Sequence, residues 1–374
     1  MSQISIDITT LENYNQLTAG ETYSVTVVAK GNPELYIDSD PSNAVSYTVP
    51  TPLPQKGDII TARWGNSGTH DWRVLKMEGS VATVADITSA VNRQYNVSIN
   101  AGSATVTYTD GTSAMSFLGT SNTDAYKSLN TANPSYYSMM ITAMREAVQS
   151  SSLTVHLYYL GNQSSGSPSY YYDKSNTDPL TLYRFAPKEN CSYTYSSINI
   201  RIISLEDIID FFNLPSNGNL IEQNFGRVFL NTDVGNGYDY WLMNSLASST
   251  NYCCTIDSGG TLTSLDGKNK YTNTGYAIPV FKVDISNLEY TSTENEYYYI
   301  SFAGVGVDVS QGLDSVIKRD GTTTATLTFS AKEGYSLPES ITVTGASYTW
   351  NSSTGVVTLS NPTDNVVVTV NGVD

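Results

Sequence analysis

Apolar and polar side chains alternate along most of the chain, the two-residue period of half-buried strands. Near the start Tyr23, Val25, Val27 and Ala29 fall on one face of an extended segment. Residues 72–77 and 81–85 form an alternating pair joined by a turn at Glu78, Gly79 and Ser80. A second pair follows at 95–99 and 104–108. The period lengthens to helical spacing in TANPSYYSMMITAMREAVQS, where Met140, Met144 and Val148 recur, Asn133 or Ser135 can cap and Pro134 suits the first turn. It lengthens again in SLEDIIDFFN. There Ser204 is a cap candidate with Asp207 three residues on, and Leu205, Ile208, Ile209 and Phe212 make one apolar stripe. Both stripes are read as core-facing.

Between the helices lies a long polar insertion, 161–195, in which Tyr170, Tyr171 and Tyr172 suggest a contact surface. Residues 277–283 are an apolar strand. Tyr297, Tyr298 and Tyr299 begin a strand-like run, and Gly304 and Gly306 follow it. Alternation then continues to the end, with turns at 332–334, 351–355 and 361–364. The predicted fold class is α+β, mostly β. The predicted organisation is a partial β module at 1–50, a Pro-rich linker at 51–56, an α+β domain at 57–285, a connection at 286–311 and a β module at 312–374.

Three resemblances sharpen this outline. LTAGETYSVTVVAKG followed by SDPSNAVSYTV resembles the second half of a fibronectin type III domain, with Leu17, Ala19, Gly20 and Tyr23 in the tyrosine-corner pattern and Ser42, Asn43 and Ala44 approaching the last strand. Half a sandwich leaves open edges. The expectation is that the chain begins within a domain or that a partner supplies the missing strands. GDII, WRVLKMEGSVATVADIT, RIISLEDIIDFF, YWLMNS, DSGGTL and GYAIPVFKV, in that order, resemble a domain of gut-bacterial surface proteins and their phages, related to the C-type-lectin and formylglycine-generating-enzyme fold. That family carries W-L-R-S where this chain has Trp241, Leu242, Met243 and Asn244. It also carries Arg before the last Pro, where Ile278 precedes Pro279 here. The C-terminal segment resembles small Ig-like modules of bacterial surface and phage proteins. The resemblances imply a central C-type-lectin-like domain with two helices, flanked by β-sandwich modules.

Composition narrows the partners. Hydrophobic residues at 40% suffice for packed cores, while charged residues make up 14% of the chain against about 25% in ordinary domains. Tyr outnumbers Phe by 28 to 9, and Tyr tolerates half-wet positions. The formal net charge of −16 argues against nucleic-acid phosphates and anionic membrane surfaces. No run of about 18 apolar residues exists to cross a membrane. MSQISIDITT lacks the basic and apolar regions of a signal peptide. A virion or extracellular location is expected, reached by lysis or as part of a longer exported protein.

Catalytic and metal motifs are sparse. The two histidines, His70 in the turn-like NSGTHDW and His156 in the strand-like SLTVHLYYL, are not near a G-x-S-x-G. Asp233, Asp239, Asp257 and Asp266 could form carboxylate pairs but read as solvated loop residues. The three Cys, at 191, 253 and 254, show no zinc spacing and no disulfide framework, and adjacent cysteines rarely bridge. The separated copper-binding pair of formylglycine-generating enzymes has no counterpart here. No sugar-binding E-P-N or Q-P-D triplet and no EF-hand spacing occurs, so calcium is left open without support. Neither catalytic nor metal-ligating residues are assigned.

The strongest functional signal is the stretch 238–257. Its predicted contact residues are Tyr238, Tyr240, Asn244, Ser248, Thr250, Asn251, Tyr252 and Asp257, the Tyr, Ser and Asn mix favoured in antibody paratopes. The family resemblance implies diversification at adenine-rich codons in such a stretch. Trp241, Leu242 and 277–283 are read as scaffold. The expected function is non-enzymatic: a phage virion surface protein binding a host-surface or mucosal glycan or a protein receptor, with other virion proteins met through the N-terminal module and homo-oligomers compatible with this reading. The alternatives are a structural virion protein (head decoration or tail component) contacting neighbouring subunits, and a fragment of a bacterial surface adhesin.

Overall fold

Alternation becomes ladders from the first described strands onward. The computed structural model describes residues 16–17, 21–31, 37–49, 52–65, 68–88, 104–116, 126–132, 134–160, 185–214, 240–245, 253–256, 262–263, 277–304, 306–309 and 316–373. Thr22–Val25 (β1) pairs antiparallel with Val45–Thr48 (β2), and Tyr23 and Val25 are the half-buried positions of β1, as their period requires. Both strands belong to the unit Met1–Leu53. The second unit is Pro54–Asp374.

The second unit opens with a meander of Ile59–Gly65 (β3), Gly68–Glu78 (β4) and Val81–Asp86 (β5). Gly79 turns β4 into β5 at φ +64°, a left-handed conformation that costs glycine little. Thr105–Thr107 (β6) pairs with Ser113–Met115 (β7), and the expected partner at 95–99 lies outside the described residues.

The first predicted helix is two short ones, Tyr136–Met139 (α1) and Thr142–Ala147 (α2). Ser135 caps α1, its Oγ accepting from the Ser138 amide. Met140 and Ile141 are extended, with ψ of 146° and 158°. The reason is tertiary: the Ile141 amide donates to the Trp64 carbonyl at 2.7 Å, a bond a continuous helix would deny it. Val148 leaves the helix into Val148–Gln149 (β8).

Ser151–Leu160 (β9) and Phe185–Ile198 (β10) form a long antiparallel ribbon. The last third of the predicted insertion is therefore strand, while Tyr170, Tyr171 and Tyr172 lie outside the described residues. Ile200–Ile202 (β11) and Leu205–Phe212 (α3) follow. Ser204 and Asp207 cap α3 reciprocally, and Leu205, Ile208, Phe211 and Phe212 are buried. Tyr240–Ser245 (β12), Cys253–Ile256 (β13) and Leu262–Thr263 (β14) make a three-stranded antiparallel sheet. Pro279–Asp284 (β15) runs through the main sheet, whose order is β11-β15-β5-β4-β3 and then Tyr290–Thr293 (β16), with β8 also pairing β15. One face packs Ile60, Trp72, Val84 and Phe281 against Tyr136 and Met144 of the short helices. The other packs Ala85, Ile278 and Val280 against α3, Tyr240 and Leu242.

The remaining strands are Tyr297–Ala303 (β17), Val307–Val309 (β18), Val316–Lys318 (β19), Ala325–Ala331 (β20), Thr342–Thr344 (β21), Ser347–Asn351 (β22), Val356–Ser360 (β23) and Val366–Thr369 (β24). They form two four-stranded sheets, β19-β17-β24-β21 and β18-β20-β23-β22, around one core that includes Ile300, Phe329, Val357 and Val368. β17 and β24 pair in parallel. The segment 286–311, expected as a connection, instead gives β16 to the main sheet and β17 and β18 to these two. Its Tyr run enters a strand covered on both faces, Tyr299 packing towards α3 and Ile300 into the core of these two sheets.

The C-terminal strands dock on the main sheet. Tyr299 packs on Phe211 and Phe212 at 6.1 and 5.8 Å between ring centroids. Asn365 donates to the Phe211 carbonyl at 2.6 Å. Asp58 and Arg319 form a buried ion pair at 2.8 Å. The architecture is α+β and mostly β, with several antiparallel sheets and few helices.

Candidate functional site

The stem of the predicted contact stretch is held by the start of α3. Asn244 near the end of β12 is buried, and its Oδ1 accepts from the Leu205 amide at 2.7 Å, satisfying a helix-start donor that has no partner within the helix. Its Nδ2 donates to both Glu206 carboxylate oxygens, at 3.0 and 2.9 Å, and lies 3.2 Å from the His156 carbonyl. Glu206 in turn accepts from the His156 amide at 2.9 Å. One amide side chain thus ties β12 to both β9 and α3. The Met243 amide adds a bond to the Ile203 carbonyl at 3.0 Å. Behind it the Arg201 guanidinium grips the Asp207 carboxylate of the helix cap.

A carboxylate in the first turn of a helix is stabilised by the helix dipole and draws a cation. His156 supplies it, with Nδ1 at 3.3 Å from Glu206 and the side chain 38% exposed. The hydrogen bond to Glu206 raises the His156 pKa, against an opposing effect of burial. Burial pushes the neighbouring Tyr158 hydroxyl well above its ordinary range, so it remains a neutral donor. The half-exposed edge of this cluster can donate a hydrogen bond and carry positive charge as pH falls.

A folded-state pKa raised above the unfolded value of about 6.5 stabilises the protein fully below that value and loses the contribution as pH rises through the folded pKa. His156→Gln is therefore expected to cost roughly 0.5 kcal/mol at pH 5.5, the small figure reflecting screening of a partly exposed pair. The cost should vanish well above neutrality. Thermal unfolding of both proteins from pH 5 to 9 checks it, and a gap that ignores pH would show that the pair does not form.

Of the predicted contact residues, Tyr240 and Asn244 are buried, at 2% and 0% exposure. Their side chains belong to the scaffold. Period-two alternation in β12 alone would not have told which residues face inward, because both faces of β12 are covered. Tyr238, Ser248, Thr250, Asn251, Tyr252 and Asp257 lie outside the described residues. Leu242 is buried, as a scaffold residue should be. His156 and Glu206 were absent from the sequence-level site. Glu206 carries only the weak signal of an acid in a capped first turn, and nothing in the sequence ties it to a histidine fifty residues earlier.

His70 lies within β4 and is buried, contrary to the turn-like reading. Its Nδ1 is 2.7 Å from Asp86 Oδ2, which also accepts from Tyr136 Oη at 2.5 Å. Trp64 stacks on the imidazole at 4.3 Å between centroids. Asp86 orients the ring as a carboxylate orients a general base. No described serine or cysteine is hydrogen-bonded to it. The arrangement holds Trp64 against the core. Cys191 is a buried thiol whose pKa burial pushes up to about 11, away from nucleophilic use. No group of three or more metal-ligating side chains occurs among the described residues. No described helix is long and apolar enough to cross a membrane. The chain matches no protein-family model, no curated protein and no solved structure.

Proposed function

We propose that the chain is a non-enzymatic phage virion surface protein that binds a host-surface or mucosal glycan or a protein receptor. A C-type-lectin-like central domain would present the residues between β12 and β13, and the last two β-sheets would hold that domain in a fixed orientation. The observation that carries this reading is the clamp on β12: Asn244 joins the strand to two other elements at the root of a Tyr, Ser and Asn-rich segment. Rigid anchoring of an adaptable polar stretch is how contact surfaces are preorganised.

The paired replacement Asn251→Ala/Tyr252→Ala is expected to reduce binding to host cells or to an immobilised glycan by about tenfold or more, the loss typical of a central aromatic contact. The melting temperature should stay nearly unchanged, because this reading gives both side chains to the ligand and not to the core. A glycan array with and without calcium supplies the ligand and tests the metal. Undiminished binding by this variant would move the contact elsewhere.

The second reading is a structural virion protein contacting neighbouring subunits. It is favoured by the exposed Val27, Ile37 and Val45 of the N-terminal unit, where Ile37 is 93% accessible. A variant with Ser at all three positions that no longer assembles into particles, yet still binds cells, would support it.

A further inference from the structure

The structure assigns a second binding site, for a small organic carboxylate, to the cavity between the end of β3 and the α1–α2 break. The cavity measures about 620 Å³ and is lined by Arg63, Trp64, Met139, Ile141, Thr142 and Arg145 among others. That volume is in the range of small-molecule sites. The site shares no residue with the segment between β12 and β13.

Charge is the first argument. In a chain of net charge −16, basic side chains find acidic partners readily. The described arginines are Arg63, Arg73, Arg145, Arg201 and Arg319. Arg201 and Arg319 pair with buried or nearly buried carboxylates, and Arg73 lies inside the fold beside Asp58. Arg63 and Arg145 face no carboxylate among the described residues. Arg63 reaches only the Gly65 carbonyl, at 3.4 Å. Arg145 donates to the Ser138 carbonyl at 3.1 Å and to Thr142 Oγ1 at 3.3 Å. Those bonds orient the Arg145 guanidinium without bringing a described carboxylate to it. Two such groups on one cavity are a carboxylate clamp, because a guanidinium presents its donors in a fork that matches a carboxylate.

Rigidity is the second argument. Trp64 is held from behind by the stacked His70, which Asp86 fixes. The opposite wall is tied down by the bond from the Ile141 amide to the Trp64 carbonyl. A Cβ at Gly65 would stand 3.3 Å from the Met139 carbonyl, a tight contact where the two walls meet. The lining combines the apolar Trp64, Met139 and Ile141 with the cationic Arg63 and Arg145. That arrangement fits a compact acid whose body is a sugar ring or an aliphatic chain.

Isothermal titration with glucuronate and with hexanoate, each against its neutral counterpart (methyl glucoside and hexanamide), tests the site. At least one acid should bind saturably, weaken with added salt and exceed its neutral counterpart by about tenfold, the scale of a charge-assisted pair. Preference for glucuronate identifies a sugar acid as the source, and preference for hexanoate an aliphatic acid. Arg63→Gln/Arg145→Gln should lose about tenfold or more, while Lys332→Gln, which alters a basic residue elsewhere, should bind as the parent does. Both arginines are at least partly exposed, and near-ultraviolet dichroism verifies that the double variant is folded. Failure of both acids to bind, or equal binding by the folded double variant, would overturn the assignment. Neither result bears on the Asn251→Ala/Tyr252→Ala test.

Discussion

Asp58→Ala is expected to destabilise the Pro54–Asp374 unit by about 3–5 kcal/mol, the cost of leaving a buried charge without its partner. Asp58 lies at the start of β3 and is 6% exposed. Its carboxylate accepts from the Gln55 amide at 2.7 Å, the Asn295 amide at 3.1 Å and the Arg319 guanidinium at 2.8 Å. Arg319 also donates to the Lys56 carbonyl at 2.5 Å and lies 4.7 Å over the Tyr298 ring. Arg73 is close by and buried, and its burial depresses its pKa. Removing Asp58 would therefore leave the buried Arg319 guanidinium without the carboxylate it pairs with. Arg319→Met should cost less, because Asp58 keeps its two amide donors. The double variant should recover part of the loss, a coupling measurable by urea unfolding of all four proteins.

The same junction predicts a change in cooperativity. Asp58 and Lys56 precede the main sheet, while Asn295 lies just before β17 and Arg319 just after β19, both strands of the final two sheets. Cutting these bonds should separate one unfolding transition into two in the calorimeter. Gly57→Ala probes the junction without removing a charge. Gly57 has φ +96°, and an added Cβ would meet Arg319 Nη2 at 2.7 Å. A loss of about 1–3 kcal/mol is expected from the backbone strain, with the Arg319 contact adding to it. Single, unshifted transitions in both variants would mean that the last two sheets do not depend on this contact.

Local chemistry was legible in the sequence wherever it decides structure locally. Ser204 and Asp207 cap α3 as read, because both partners lie within one turn. Gly79 places the β4–β5 hairpin for the same reason. Legibility fails where a distant group wins. Met140 and Ile141 sit in a helical pattern, yet the bond that the Ile141 amide donates to the Trp64 carbonyl, more than seventy residues away, holds the chain extended there. Asn244 looked like a surface amide because polar residues follow it. Its burial is explained only by Leu205 and Glu206, which no spacing rule places beside it. The segment 286–311 carried a strand pattern broken by glycines, and its partners β3 and β24 lie far off in sequence.

Asn244 is where scaffold and proposed contact meet, and its replacement is the second large effect. Asn244→Ala should cost about 2–4 kcal/mol. It strands the Leu205 amide and strips a donor from each Glu206 carboxylate oxygen. Asn244→Asp separates shape from charge. It keeps the acceptor for Leu205 and sets a second carboxylate against Glu206, so one of the two must have its pKa raised on folding. An acid whose folded pKa is raised destabilises the protein fully above that value. The penalty shrinks as pH falls toward the unfolded value of about 4. The gap between wild type and Asn244→Asp should therefore be wide at pH 7 and narrow at pH 4.5, whereas the Asn244→Ala gap should change little. Binding provides the link to function. If the clamp preorganises the residues that follow β12, both Asn244 variants lose binding together with stability, while Asn251→Ala/Tyr252→Ala loses binding alone. An Asn244→Ala protein of lowered melting temperature but undiminished affinity would show that the contact surface does not depend on this root.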